Sequence, residues 1–482
     1  MKPTAETPPR PWPPYVAREN ALRHLERAIA ATPEALDTHF YYASFLRDHG
    51  RLDDAIAEFE HVLARAPDHV ETLVALGVVL ARRGRRLDAR ARFERAVAID
   101  GTHRSALVNL ANALALDAPE RAQALYETVL RQDAGFAAAH RGLCSLAAAR
   151  GDTAATTRHR EAGYAGGPFG RRPYLGAQMP PSVLALVSTD GGNIPLDALL
   201  DERSFLVHEV YVEAYRGEPL PPHSLIVNAI ADADRSAPAL QLAAELMQGL
   251  RVPVVNAPGA VAMTGRVANA ARLGGLTDVL APAARSLAHN AVPPDGFPLL
   301  LRVPGLHMGR GMIRVDNARA FAEAIRTTPQ PDALIAIDYI ETRSPDAAWR
   351  KYRVMTIDGV LYPLHLAIAH RWDVHYFSAA MSDRAEYRAE EARFLADPPG
   401  AHGARAWAAL GRVRDALGLD YAGIDFGLAA DGQVVVFEAN AAMTVLRPDL
   451  DERFAYRVPA SEAIAGALVR MFRRRIVETP SS

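Results

Sequence analysis

A single cysteine, Cys144, stands in the 482 residues, so disulfide bridges and cysteine-based metal sites are excluded. It lies in an alanine-rich helical stretch and reads as a small core residue. Neither sign of charge is in excess. With 54 basic against 56 acidic residues there is no field to attract bulk nucleic acid or a membrane surface, and any phosphate binding must be local. The chain also lacks an apolar run near its start. Between Met1 and Tyr15 it has six prolines instead, which excludes a secretory signal and a membrane span there. Residues 1–16 are expected to be a disordered leader of a cytoplasmic protein. What remains, 49% hydrophobic and 23% charged, is enough for two or three domains, each with its own core.

A repeat organises the first third. Ala21, Leu25, Ala28 and Pro33 recur as Ala55, Phe59, Val62 and Pro67, then as Ala89, Phe93, Ala96 and Gly101, 34 residues apart each time. Ala122, Tyr126, Val129 and Ala134 follow one residue short, the loss falling in the turn around Asp117 to Glu120. Before these units run helices with small or apolar residues at helical spacing: Ala43 and Leu46; Leu73, Gly77 and Leu80; Leu107, Ala111 and Leu114. The pattern resembles the tetratricopeptide repeat, in which a small residue lets two helices approach and a large one fills the gap beside it. The resemblance covers residues 17–165 and implies an all-α array. Such arrays present a concave face to a peptide or protein partner, or serve as spacers or dimer contacts, and the sequence does not choose among these uses; a homodimer stays open.

From residue 166 to 181 glycine, proline and arginine take over, which ends the array and is expected to be a linker. Beyond it, short apolar runs alternate with amphipathic helices, as an α/β domain requires. Val183 to Val187, Ser224 to Ile230 and Val252 to Val255 read as strands. Ligands collect at the carboxyl ends of such strands, which makes Asp190, Gly191, Gly192, Asn193, Asn228, Asp232 and Asp234 candidate substrate groups. The same residue types also serve as caps and turn formers.

The segment Tyr421 to Met443, YAGIDFGLAADGQVVVFEANAAM, carries the strongest chemical signal. An apolar strand bearing Asp425 leads to the turn Asp431-Gly432, and a second strand ends in Glu438-Ala439-Asn440. A hairpin of this form can bring Asp425 beside Glu438 and Asn440. Two carboxylates and an amide oxygen are hard ligands of the kind Mg²⁺ takes, with nucleotide phosphates completing its shell.

Asp, Glu thirteen residues on and Asn two further on resemble the magnesium signature of the ATP-grasp superfamily. Its members, such as glutathione synthetase, D-alanyl-D-alanine ligase and RimK-type ligases, join a carboxylate to an amine through an acyl phosphate. Three further segments fit the resemblance in order. Phe297 to Met312, FPLLLRVPGLHMGRGM, is similar to the family's nucleotide-binding strand and phosphate lid. Arg302 stands for the usual lysine, and Gly305, His307, Gly309, Arg310 and Gly311 form the loop. Thr264-Gly265-Arg266 opens a helix where the family places another ATP-contacting lysine. Leu334 to Ile340 resembles the strand entering the adenine hinge, with Asp338, Tyr339 and Ile340 contacting the base, and Lys351 to Val360 the next hairpin, with Arg353 directed at the phosphates.

The resemblance spans residues 182–475 and implies an α/β domain over 182–260 on the substrate side and an α+β ATP-grasp domain over 261–475. It implies ATP and Mg²⁺ as cofactors, a carboxylate and an amine as substrates, and Arg302 and Arg353 as catalytic charges. The arginines at 266 and 302 suggest a consistent subfamily solution, since guanidinium keeps the charge with a different reach. His370 or Arg371 would orient the substrate carboxylate; His365, His370 and His375 match no zinc pattern. Two rival readings stand beside the ligase: a non-catalytic interaction protein with a regulatory nucleotide-binding domain, and an ATP-grasp kinase.

Overall fold

The computed structural model describes residues 14–176, 178–288, 296–303, 311–328, 334–376, 379–445 and 451–477. The chain divides into two compact units, one of residues 1–167, 172–180 and 202–206, the other of 168–171, 181–201 and 207–482.

Nine helices make up the described part of the front unit: α1 (Pro14–Ala31), α2 (Leu36–Asp48), α3 (Leu52–Arg65), α4 (Val70–Arg82), α5 (Arg86–Ile99), α6 (Arg104–Leu114), α7 (Pro119–Gln132), α8 (Ala137–Ala149) and α9 (Thr153–Gly163). The repeat positions form its core: Ala43, Leu46, Ala55, Phe59, Leu80, Ala89, Phe93, Ala111, Ala122 and Tyr126 are all buried. Small-against-large packing is explicit. A Cβ on Gly77 would fall 2.4 Å from the Phe93 ring, and one on Gly142 2.2 Å from the Tyr126 ring. The Tyr126 hydroxyl donates to Asn112 Oδ1 at 2.6 Å, and burial pushes its pKa up to about 12.

The segment expected to be a linker contains regular structure. Phe169–Arg171 forms a strand, β1, and residues 172–180 belong to the front unit, where Arg172 and Arg82 both bond the Glu202 carboxylate, at 3.4 and 2.9 Å. Glycine and proline exclude a helix here, but they leave an edge strand open.

The described residues of the rear unit form three sheets. The first joins β1 to β2 (Ser182–Val187), β3 (Leu206–Tyr211), β4 (Leu225–Asn228) and β5 (Val254–Val255) in the order β1-β3-β2-β4-β5, with β2, β4 and β5 parallel. The second, wholly antiparallel, contains β7 (Ala284–Leu287), β8 (Leu299–Arg302), β9 (Met312–Val315) and β10 (Leu334–Asp338) in the order β7-β10-β8-β9. Leu299, Leu301, Val315 and Leu334 close it over Phe321 and Ala324 of the helix Ala318–Thr327.

The third sheet bears the site. It contains β6 (Val279–Leu280), β11 (Trp349–Ile357), β12 (Val360–Ala369), β13 (Tyr421–Leu428) and β14 (Val434–Asn440) in the order β12-β11-β13-β14-β6. The helices Ala385–Ala396, Pro398–Leu417 and Val458–Val477 pack on it, so β13 is buried from Tyr421 to Gly427. A polar clasp ties the start of β13 to the first sheet. Asn256, at φ 56°, takes the Tyr421 N–H on its Oδ1 at 2.9 Å and gives its amide to the Tyr421 carbonyl at 2.7 Å. Asn228 in turn donates to the Asn256 carbonyl at 3.0 Å.

The Phe93 ring is buried and cannot swing clear of a longer side chain at position 77. Gly77→Val should therefore destabilise the front unit by about 1–3 kcal/mol through overpacking. Leu87→Ala, at a position 82% exposed, should stay within about 0.5 kcal/mol. Chemical denaturation of both variants checks the contrast.

Candidate functional site

Directly opposed residues of antiparallel strands share a face. Across four neighbouring strands the register aligns His365 on β12, Arg353 on β11, Asp425 on β13 and Glu438 on β14. One position off this row, Tyr352 and Phe426 stack at 5.2 Å on the opposite face, where Phe394 meets Tyr352 edge-on at 5.1 Å. The sheet thus carries an aromatic core on one face and a charged row on the other.

Two bulges complete the row. Val354 pairs with Pro363 but Arg353 pairs with His365, so Leu364 is the extra residue; Phe426 pairs with Val436 but Asp425 with Glu438, so Phe437 is extra. Without these insertions Leu364 and Phe437 would stand where His365 and Glu438 do. Bulges that re-aim a side chain in this way are common beside functional sites.

The charges are tightly held. Asp425, 1% exposed, receives Arg353 Nε at 2.5 Å and Nη2 at 2.8 Å, and Lys351 Nζ stands 3.0 Å from its Oδ2. Burial alone would raise the Asp425 pKa, but Arg353 and then Lys351 outweigh it and hold the carboxyl far below its ordinary range. Glu438 follows the same logic: burial pushes it up, and Arg266 and Arg302 bring it below its usual value. Arg266 bridges Glu438 Oε1 at 2.7 Å and Asp234 Oδ2 at 2.9 Å, and its backbone N–H donates to Asp234 as well. Arg302 is buried and within electrostatic reach of Arg266, Glu438, Asp234 and Asp232. Burial and Arg353 lower the pKa of His365 well below 6.5, so its ring is neutral.

At the Glu438 end a cavity of about 60 Å³ opens. Its polar lining includes Asp232, Asp234, Thr264, Arg266, Asn269, Glu438 and Asn440; Leu273, Ala284, Ile337, Val436 and Phe437 give an apolar side. Asn440 donates to Glu438 Oε1 at 2.9 Å and accepts from the Ala442 N–H, and Glu438 Oε2 makes no hydrogen bond among the described residues. The donor set of Asp425, Glu438 and Asn440 fits a hard divalent cation in chemistry and in register, Asn440 lying opposite Gly423 two residues from Asp425. Its oxygens are largely committed to side-chain cations, so a metal would enter by exchange with them. Among the described residues no group of three His, Cys, Asp or Glu side chains stands ready to hold a metal.

The structure gathers Arg266, Arg302, Arg353, Asp425, Glu438 and Asn440 into one site. Asp338, Tyr339 and Ile340 end β10 and follow it, half-buried; Asp338 pairs with Arg285 at 2.9 Å, and Arg314 lies 4.2 Å over the Tyr339 ring. Gly311 takes a left-handed conformation at φ 65° before β9. Gly305, His307, Gly309 and Arg310 lie outside the described residues.

The substrate candidates fare differently. Asn193 closes its own loop, bonding the Ser188 N–H and carbonyl at 2.8 Å each, and Asn228 spends its amide on Ile230 and Asn256. Asp232 caps the Asp234 and Arg235 N–H groups at the cavity's rim, and Asp190 accepts from the Thr189 hydroxyl. These are the turn and cap uses of Asn and Asp. His370 bonds Tyr387 at 2.9 Å and Arg371 pairs with Asp373; both are exposed on the turn after β12 and are not brought to the row.

Sequence reasoning passed over Lys351 and set His365 aside. The signal for Lys351 was present: two residues before Arg353 on a strand, it must share that residue's face. The arginines at 266 and 302 also need rereading. Of the 54 basic residues only Lys2 and Lys351 are lysine, so arginine at those positions follows the habit of the whole chain rather than a solution peculiar to the site.

A family model described as tetratricopeptide repeat matches residues 34–102. Similar solved structures include MamA, 17% identical over 31% of this chain and 88% of that one, TM-score 0.29. They also include YrrB, described as a tetratricopeptide-repeat protein with an unusual peptide-binding site, 18% identical over 31% and 78%, TM-score 0.27. A tetratricopeptide repeat protein from Parabacteroides merdae is 15% identical over 32% and 61%, TM-score 0.29. No curated protein matches the chain. Among the described residues no helix is long and apolar enough to cross a membrane.

Removing the guanidinium that binds both Asp425 oxygens leaves that buried carboxylate to Lys351 alone. Arg353→Met should cost about 1.5–3 kcal/mol of rear-unit stability at neutral pH, the worth of a hydrogen bond to a charged group. Because the folded pKa of Asp425 is depressed, this stabilisation is complete above about 3.9 and is lost only as pH falls below it toward the folded value. Denaturant titrations of the parent and the variant at pH 7 and at pH 3 measure both effects; the gap between them should narrow at the lower pH.

Proposed function

We propose that the rear unit is an ATP- and Mg²⁺-dependent ligase of the ATP-grasp kind that joins a carboxylate to an amine, and that the tetratricopeptide array in front recruits a protein or peptide partner. The observation that carries the reading is the bulge-aligned row with four cations packed around it, opening at the Glu438 end into a half-apolar, half-polar cavity. Cations committed to buried carboxylates are counter-charges available to a polyanion.

In this reading the apolar lining of Leu273, Ala284, Ile337 and Val436 takes the nucleobase, while Arg266 and Arg302 meet phosphate oxygens. Magnesium, held by Asp425, Glu438 and Asn440, would supply charge neutralisation for those oxygens. Arg353, midway along the row, faces the transferred phosphoryl group, and its guanidinium stabilises charge that develops there. A carboxylate oxygen of the acid bonds to the γ-phosphorus as ADP leaves; the amine then bonds to the acyl carbon and phosphate departs. No side chain acts as nucleophile, so the protein's contribution is positioning and electrostatics.

The full chain with Mg-ATP and panels of acids and amines tests the reading. Phosphate release that needs an acid and an amine together supports a ligase. Phosphate retained on a product identifies a kinase, and neither outcome leaves an interaction protein. Arg302→Ala should weaken Mg-ATP binding by about 1.5–3 kcal/mol in calorimetry, the worth of a charge-assisted hydrogen bond. Glu438→Gln should abolish turnover while preserving the far-ultraviolet spectrum; unchanged turnover would remove Glu438 from the site.

A further inference from the structure

Lys351 is the one lysine among the described residues of a chain whose basic residues are otherwise arginine, apart from Lys2. Its place is not an ordinary surface one. The side chain is 18% exposed, and its ammonium stands 3.0 Å from Asp425 Oδ2. That carboxylate already has a complete partner, because Arg353 binds both its oxygens, at 2.5 and 2.8 Å. Two cations thus share this one buried carboxylate, with Glu438 across the row within electrostatic reach of both.

The other polar groups at this end of the row are two histidines and a carboxylate with partners of its own. His365 opposes Arg353 in the sheet, is 6% exposed, and its Nδ1 has no hydrogen-bond partner among the described residues. His375 also lies within electrostatic reach of Lys351, Arg353 and Asp425. Both rings lose their charge to burial beside these cations. Glu391, a buried carboxylate on one of the packed helices, is taken up by Arg457 at 2.7 and 3.0 Å and by the Tyr456 hydroxyl at 2.5 Å.

Lysine and arginine differ where space is limited. A second guanidinium beside Asp425 would bring a planar fork of five donors to an oxygen already bonded, whereas an ammonium adds a compact charge with donors to spare. One of those donors meets Asp425, and the others are left for a ligand.

We propose that Lys351, with the neighbouring His365, forms a subsite for an anionic oxygen group at the end of the row away from the cavity. This rests on the ligase reading for its meaning: the group is either the carboxylate of the acid substrate or the phosphoryl group passed to it. Lys351 touches that group directly, and His365 Nδ1 offers the neutral polar contact beside it. The nucleotide and the acid then approach Arg353 from opposite ends of one row.

The lysine count supplies the experiment. Full-length protein labelled with ¹³C at the lysine side chain gives two signals, Lys2 and Lys351. Acetate, L-glutamate and inorganic phosphate are each titrated with and without Mg-ADP, whose binding is followed separately by calorimetry. A saturable shift of the Lys351 signal, with Lys2 unmoved, is expected. If acetate or glutamate produces it the ligand is a carboxylate; if phosphate alone does, it is the phosphoryl group. Lys351→Gln and Lys351→Arg, followed by calorimetry, should each weaken the effective probe about tenfold or more, and unchanged probe affinity in both would overturn the subsite. If Mg-ADP binds and none of the three probes moves Lys351, the subsite is wrong and the ligase reading survives. If Mg-ADP does not bind but a probe shifts Lys351 saturably, the anion subsite stands and the ligase reading fails.

Discussion

The rear unit depends on burying Asp425. A lone carboxylate at the centre of an apolar sheet is costly, and the fold meets that cost with a bidentate guanidinium on the adjacent strand and an ammonium beside it. The surrounding features follow from this constraint. Arg353 must oppose Asp425, which sets the register of β11 on β13; Tyr352 and Phe426 then necessarily fall on the other face and build the aromatic core. The clasp of Asn256 on Tyr421 fixes where β13 begins, and hence where Asp425 lies along it. A pure stability argument would favour apolar residues here. Charge is retained all the same, at a place where two bulges also stand.

How much of this was legible depended on the range of the interaction. The 34-residue repeat was readable because each unit makes the same local contacts, and the packing of Gly77 on Phe93 follows from size alone. The hairpin bearing Asp425 and Glu438 was readable from alternation and the Asp431-Gly432 turn. Its partner strands were not. That Arg353 would lie between His365 and Asp425 depends on which strands pair and on two inserted residues, Leu364 and Phe437, whose extra length has no local signature. Asn193 and Asn228 are taken up structurally instead: Asn193 bonds Ser188 within its own loop, and Asn228 bonds both nearby Ile230 and distant Asn256.

The front unit adds a different kind of surface. Residues 34–102 are tetratricopeptide repeats, an architecture suited to protein or peptide interaction. Its stability comes from neighbour-to-neighbour helix packing, while that of the rear unit comes from a sheet organised around charge. In the proposed reading, the array supplies binding energy remote from the reacting atoms.

Because the carboxylates at 425 and 438 already hold side-chain cations, a divalent ion arriving alone must displace a guanidinium or an ammonium and leave it without a counter-charge. A nucleotide brings phosphates to receive those cations. Calorimetric titration of the full chain with MgCl₂, with ADP and with both together tests this most directly. The account predicts strong binding only for the combination. Magnesium binding of the same affinity without nucleotide, or no binding of the combination at millimolar concentration, would contradict it.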